Sequence, residues 1–232
     1  MSKKTQPSEP SPAFLGSMPE SYRTLGAFRS DEIVIKRSRF IGWGAPAGSE
    51  EEALAILEHI RSEHAQATHN CYAYRVGFGV ETVRFSDDGE PGGTAGKPIL
   101  EVIQREDLRN VIIVVTRYFG GTLLGASGLV RAYAQAAKLA VDAAGVVEQV
   151  RHTRVALTVA YEWLGRIQHE LQERGVVIES VDYGERVSFR LLVRPAQLGG
   201  LTAALKELTN GQADPQVIGY VYRAVPAPKA RS

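Results

Sequence analysis

The chain has 232 residues, 44% of them apolar and 23% charged, with a formal net charge of +1, which is the profile of a folded globular protein and not of a disordered or membrane one. That length is long for one ordinary domain and comfortable for two. A near-neutral chain has no general excess of Lys and Arg to draw phosphate from a distance, so a nucleic-acid surface would have to come from local clustering.

Taken in chain order, residues 1–19 are rich in Pro and Ser and carry no hydrophobic period, so they read as a disordered leader. Lys3 and Lys4 are followed by Pro7, Glu9, Pro10 and Pro12 where a signal peptide needs an apolar segment, so export by that route is not expected. Residues 32–45 show strand-type patterning interrupted at Arg37 and Ser38. Ser49 with Glu52 three residues later is a capping-box signature, and Ala53, Leu54, Leu57 and Ile60 supply the apolar stripe of the helix it starts. Two strand-like segments, 71–78 and 82–85, flank Gly77 and Gly79 and predict a hairpin.

A Gly-rich loop, 86–96, leads into a helix whose first position is read as Lys97 or Pro98. Residues 111–115 form the strongest apolar run; at five residues it is far below the roughly 20 needed to span a bilayer, and it reads as a buried strand. A second Gly-rich segment, 120–128, precedes a long helix ending at Gly145, with Tyr133, Ala137, Val141 and Ala144 at helical spacing. Near residue 150 the pattern resets to strand, helix, strand, strand, helix, strand, the ferredoxin-like order. The expectation is an α+β chain of two domains, 20–149 and 150–225.

Several segments invite a chemical reading. Asp87, Asp88 and Glu90 put three carboxylates beside one turn, but the segment runs into Pro91-Gly92-Gly93 and does not continue as a calcium loop, so no metal is expected. The stretch 91–98 resembles a phosphate cradle. It departs from a Walker A motif at Pro91 and Pro98, which leaves anion binding by the loop and Lys97. Arg117 and Tyr118 are read as following the buried strand, where ligand contacts are often found, and Arg131 is read as joining Arg117. Equally, Arg117 can pair with Asp87, Asp88 or Glu90 and hold the two Gly-rich segments together. Residues 125–128 miss the last glycine of a nucleophile elbow, since Leu129 stands there. His69 and Cys71, two apart in a strand, share a face, and a buried thiol beside a hydrogen-bonded histidine is the simpler outcome. A single cysteine, Cys71, gives neither an internal disulfide nor a paired-cysteine zinc site and fits a reducing cytoplasm. In the second domain Arg154, Arg190 and Arg194 fall on the sheet face away from the apolar helix side, a possible RNA contact.

Ser38-Arg39-Phe40-Ile41-Gly42, residues 67–74, Ser86-Asp87-Asp88-Gly89-Glu90-Pro91, Arg117-Tyr118-Phe119-Gly120-Gly121 and Gly128-Leu129-Val130-Arg131-Ala132-Tyr133 occur in an order that resembles the IMPACT family, in particular its bacterial YigZ-type members. Leu124 stands where that family commonly has Lys, and Ser127 where Gly is common. The resemblance implies a first domain like domain IV of elongation factor G and a second like its domain V. It further implies a theme of ribosome or RNA contact, since eukaryotic members regulate translation by competing for the ribosome-associated activator of an amino-acid-starvation kinase. No complete catalytic motif is present and no cofactor is expected. The leading expectation is therefore a cytoplasmic, translation-associated protein that binds ribosome, RNA or a ribosome-associated partner. The alternative is an enzyme acting on a small phosphorylated or carboxylated substrate in the Gly-rich cleft.

Overall fold

A computed structural model describes residues 18–226; the leader expected at 1–19 lies almost wholly outside them. The described chain divides into two compact units, one of residues 22–149 with 224–226 and one of residues 150–223 with 18–21. Both mix helix and strand, so the chain is α+β, with two sheets and five α-helices among the described residues.

In the first unit, β1 (Ser21–Leu25) is followed by the hairpin of β2 (Arg29–Ile35) and β3 (Ser38–Pro46), then α1 (Glu50–Glu63), β4 (His69–Val76), β5 (Thr82–Ser86), α2 (Gly96–Arg105), β6 (Val111–Tyr118) and α3 (Ala126–Ala144). The sheet order is β2-β3-β6-β4-β5, and every neighbouring pair is antiparallel. Ser49 caps α1 by accepting the Glu52 N–H, as its spacing predicts, while Glu52 reaches back to the Gly48 N–H. Ala53, Leu57 and Ile60 are buried, but Leu54 is exposed, because α1 turns only a narrow stripe toward the sheet.

The alternation of β6 sets which side chains meet. Val111, Ile113 and Val115 join the core under α2 and α3, with Phe40, Cys71 and Tyr133. Ile112 and Val114 face α1 with Ala45 and Tyr74. Each fully buried aliphatic side chain of this kind contributes about 1.5–3 kcal/mol. The long helix α3 lies very close to β3, on small residues: a Cβ at Gly42 would stand 2.1 Å from the Ala136 carbonyl oxygen. The Ala132, Ala136 and Ala140 stripe of α3 and the glycine of β3 therefore match each other in size.

In the second unit the order is β7 (Val146–Val159), α4 (Leu164–Glu173), β8 (Val177–Tyr183), β9 (Val187–Val193), α5 (Pro195–Leu208) and β10 (Gln216–Pro226). The division at Val150 falls inside β7 and not in a linker. Within this five-stranded sheet β9 lies between β7 and β8, and both β1 and β10 pair with β7. Val155, Leu157, Phe189 and Leu191 alternate onto one face, where Ile167 and Leu171 of α4 and Leu201 and Leu205 of α5 close the core. No helix among the described residues is long and apolar enough to cross a membrane.

Candidate functional site

The acidic turn is built inward. Asp87 accepts the N–H groups of Gly93, Ala95 and Gly96, at 2.8, 3.0 and 2.8 Å, and so caps the first turn of α2. Burial alone would raise its pKa, but these three donors more than offset that and hold it below the ordinary carboxylate value. The loop read as a phosphate cradle thus has its amide donors occupied by a carboxylate of the same chain. Helix α2 starts at Gly96, one to two residues earlier than expected, because this cap sits there. Lys97 is exposed on α2, at its second position. Asp88, with φ of 44°, accepts the Asn70 N–H at 2.6 Å and lies 3.5 Å from Arg61.

Glu90 turns into the core. Its Oε1 accepts from Arg117 Nη1 at 2.5 Å and from the Tyr133 hydroxyl at 2.6 Å. Arg117 is 5% exposed, and its guanidinium lies 5.3 Å from the Phe40 ring centre and 5.4 Å from that of Phe119. It belongs to β6 itself, so the strand is three residues longer than the apolar run suggested. Of the two readings of Arg117, the geometry shows the pairing one. The three carboxylates go to separate partners, and among the described residues no group of three or more His, Cys, Asp or Glu is arranged to hold a metal ion.

Strand alternation separates Tyr118 from Arg117. Tyr118 lies on the α1 side, its hydroxyl 2.8 Å from His64 Nδ1. Arg131 is exposed on α3 and forms no ion pair with Arg117's acidic partners among the described residues. Lys97, Arg117, Tyr118 and Arg131 are therefore not gathered into one cationic site. In the second unit, Arg154 and Arg190 do share a face, since Arg154 pairs with Leu192 and Arg190 with Ala156 in the β7–β9 register. Arg154, however, is bound to Glu179 at 2.7 Å, and Arg194 stands at the N-cap of α5, outside β9, because Pro195 starts the helix there.

The sequence did not announce a cavity of about 350 Å³ on the α3 side of the first sheet. Its polar lining is Thr68, His69, Glu90 and Arg117, and its apolar lining includes Phe119, Leu123 and Leu129. His69 Nδ1 is 2.7 Å from the Asp88 carbonyl oxygen, and its Nε2 is 3.8 Å from Glu90 Oε1. His69 and Cys71 do share a strand face, yet the neighbour of His69 is Glu90, brought there by the loop. The Cys71 thiol is buried and donates to the Asp87 carbonyl.

A second surface lies at the tip of the β2–β3 hairpin. The register closes Ile35 onto Ser38, leaving Lys36 and Arg37 as a two-residue turn. Both have positive φ, 47° and 68°, a conformation that disfavours residues with a Cβ and is most often kept where something else requires it. A Cβ at Gly120 would lie 2.0 Å from the Arg37 backbone, so the loop after β6 is seated against the tip. Gly120 N–H also donates to Ser38 Oγ at 3.2 Å. The contact sets Gly120, the residue after the 47% exposed Phe119, against the backbone of a turn that carries two exposed cations; the signal, unused in the sequence, was a basic pair just before Ser38.

Residues 36–141 match the Impact N-terminal domain, and residues 157–212 match a domain of unknown function, DUF1949. The chain is 40% identical to IMPACT family member YvyE of Bacillus subtilis, over 85% of this chain and 91% of that one. It is 35% identical to IMPACT family member YigZ of Escherichia coli, over 76% and 88% respectively. A crystal structure of a hypothetical protein superimposes with a TM-score of 0.58 at 33% identity, covering 87% of this chain and 98% of that one. The chain belongs to the IMPACT family.

Proposed function

We propose that this protein is a translation-associated regulator of the cytoplasm that works by binding, with structured RNA of the ribosome as its contact. The observation that carries the reading is the β2–β3 tip. Lys36 and Arg37 are exposed cations held in a strained two-residue turn, and Gly120, next in sequence to the exposed Phe119, packs against the Arg37 backbone. Cations that reach phosphate, next to an aromatic ring that can stack a base, are the two components of sequence-tolerant RNA binding. Family membership supports the same direction, because the resemblance implies regulation of translation in eukaryotic members.

We read the two units as counterparts of domains IV and V of elongation factor G. The pairings of β10 with β7, β7 with β9 and β9 with β8, beside which β1 also joins β7, together with two helices on one face support a ferredoxin-like second unit. The alternative, an enzyme on a small phosphorylated or carboxylated substrate held by the Gly-rich loop, loses its anion donors to Asp87. The direct test is sedimentation of the purified protein with ribosomes at low salt. Co-sedimentation that is released by Lys36→Ala with Arg37→Ala supports the reading, and absence of co-sedimentation at low salt rejects it.

A further inference from the structure

We propose that the cavity lined by His69, Glu90 and Phe119 receives one extruded guanine base. The inference deepens the RNA-contact reading and rests on it for the source of the base. At about 350 Å³ the cavity lies at the small end of ligand sites, which run from roughly 300 to 1,000 Å³.

Its polar groups define what can enter. The Glu90 side chain is 3% exposed. Its Oε1 is committed to Arg117 and Tyr133, whereas Oε2 makes no hydrogen bond among the described residues. Oε2 does not stand among the buried side-chain atoms that lack a partner, so it is open to solvent and can accept from a ligand donor in place of water. His69 supplies a second acceptor. The Asp88 carbonyl can only accept, so His69 Nδ1 carries the proton in that 2.7 Å contact, and Nε2 of the neutral ring is left as an acceptor. At 3.8 Å from Glu90 Oε1 it forms no hydrogen bond there. Two neighbouring acceptors call for two neighbouring donors.

Among the four RNA bases only guanine presents adjacent donors on its pairing edge, N1–H and the N2 amino group. Adenine and cytosine offer one donor beside an acceptor, and uracil one donor between two acceptors. Beside its donors guanine carries the acceptor O6. The N-terminus of α3 can meet it: Gly125 and Ala126 line the cavity, and Gly125 provides no side-chain cap for the first N–H groups. Phe119 and Leu129 give apolar surface for the ring, and Leu123, 82% exposed, stands free beside the space.

Charge permits this. Arg117 neutralises Glu90 at 2.5 Å, so the wall offers direction without a net negative field against RNA. Phe119 lines the cavity and Gly120 after it packs on the tip's backbone, so a strand whose phosphates meet Lys36 and Arg37 can turn a base inward there. Sequence-specific RNA recognition commonly takes a base unstacked from its neighbours in this way.

The test is a titration of the isotope-labelled full chain with guanosine, inosine, adenosine, cytidine and uridine, following the His69 ring nitrogens and the amides of Leu123 and Ala126 by NMR. Saturable shifts with guanosine are expected. Inosine, which lacks only the N2 amino group, should bind roughly tenfold more weakly, since it leaves one of the two acceptors without its donor. This comparison alters the ligand and so does not depend on a variant that folds. No saturation with guanosine, or equal binding of inosine, overturns the proposal. Ribosome co-sedimentation without guanosine binding removes the pocket and leaves the RNA reading standing. Guanosine binding without co-sedimentation keeps the guanine pocket and overturns RNA as the source of the base.

Discussion

Arg117 Nη1 and Glu90 Oε1 stand 2.5 Å apart inside the core, joining β6 to the acidic turn. Both side chains are almost fully buried, so each charge depends on the other. Removing one partner, by Glu90→Gln or Arg117→Met, should cost about 3–5 kcal/mol of stability, because the remaining charge is stranded out of water. Replacing both together should cost less than the sum of the two. Urea denaturation of the three variants measures this, and single variants as stable as the natural chain would show the pair to be dispensable.

Cys71 gives a pH prediction. Its burial, helped by the nearby carboxylates of Glu90, Asp88 and Asp87 and opposed by its interaction with the Tyr133 hydroxyl, raises the thiol from 9.0 to about 12. In the unfolded chain the thiol ionises as pH passes 9.0, while the folded chain keeps its proton until about 12. Stability contributed by this group is therefore present below the unfolded value and is lost as pH rises through that window. Tyr133, also raised mainly by burial, acts in the same sense at higher pH. The expected result is a fall in the urea midpoint above pH 9.0, less steep in Cys71→Ala. Thiol reagent should react slowly with the folded chain and rapidly in urea.

Asp87 works with the opposite sign. Its folded pKa lies below the ordinary value of 3.8, so the stability it gives is present above that value and is lost as pH falls through the folded pKa. Asp87→Ala should cost about 1–2 kcal/mol at neutral pH, as for loss of an N-cap. Asp87→Asn keeps an acceptor and should cost less, while flattening the acid limb of the stability curve. An unchanged acid limb in Asp87→Asn would remove this carboxylate from the account.

How far these features could be read from the sequence depends on their range. The elements themselves follow from periodicity and capping: Ser49 with Glu52, Gly77 with Gly79, and the run at 111–115 all act within a few residues. Strand length was misjudged because Thr116 and Arg117 end the apolar run, and only the arginine's partner, 27 residues away, makes its burial tolerable. The Gly-rich loop looked like an anion site because its glycines were visible, but the anion already there is Asp87, whose contacts with Gly93 and Gly96 depend on how the loop folds. Arg117 and Tyr118 were grouped by adjacency, and strand alternation sends them to opposite faces. The cavity needs β4, β6 and α3 brought together, which no local pattern encodes.

The β2–β3 tip carries the last prediction. If Lys36 and Arg37 contact phosphates, replacing both with Ala should reduce the slope of log affinity against log salt by roughly 1.5. Raising salt from about 50 to about 200 mM should then cost the double variant roughly tenfold less affinity than it costs the natural chain. Gly120→Ala should act on the same surface without altering charge, since its Cβ would collide with the Arg37 backbone. It should weaken ribosome binding and leave the salt slope near that of the natural chain. Replacing Arg190 tests the second unit: it is exposed in β9, whereas Arg154 is already held by Glu179. Sedimentation across a salt series compares all of these variants. A slope that changes with Arg190→Ala and not with the tip variant would move the contact to the β7–β9 face. A slope unmoved by either would mean that phosphate is not what these cations meet.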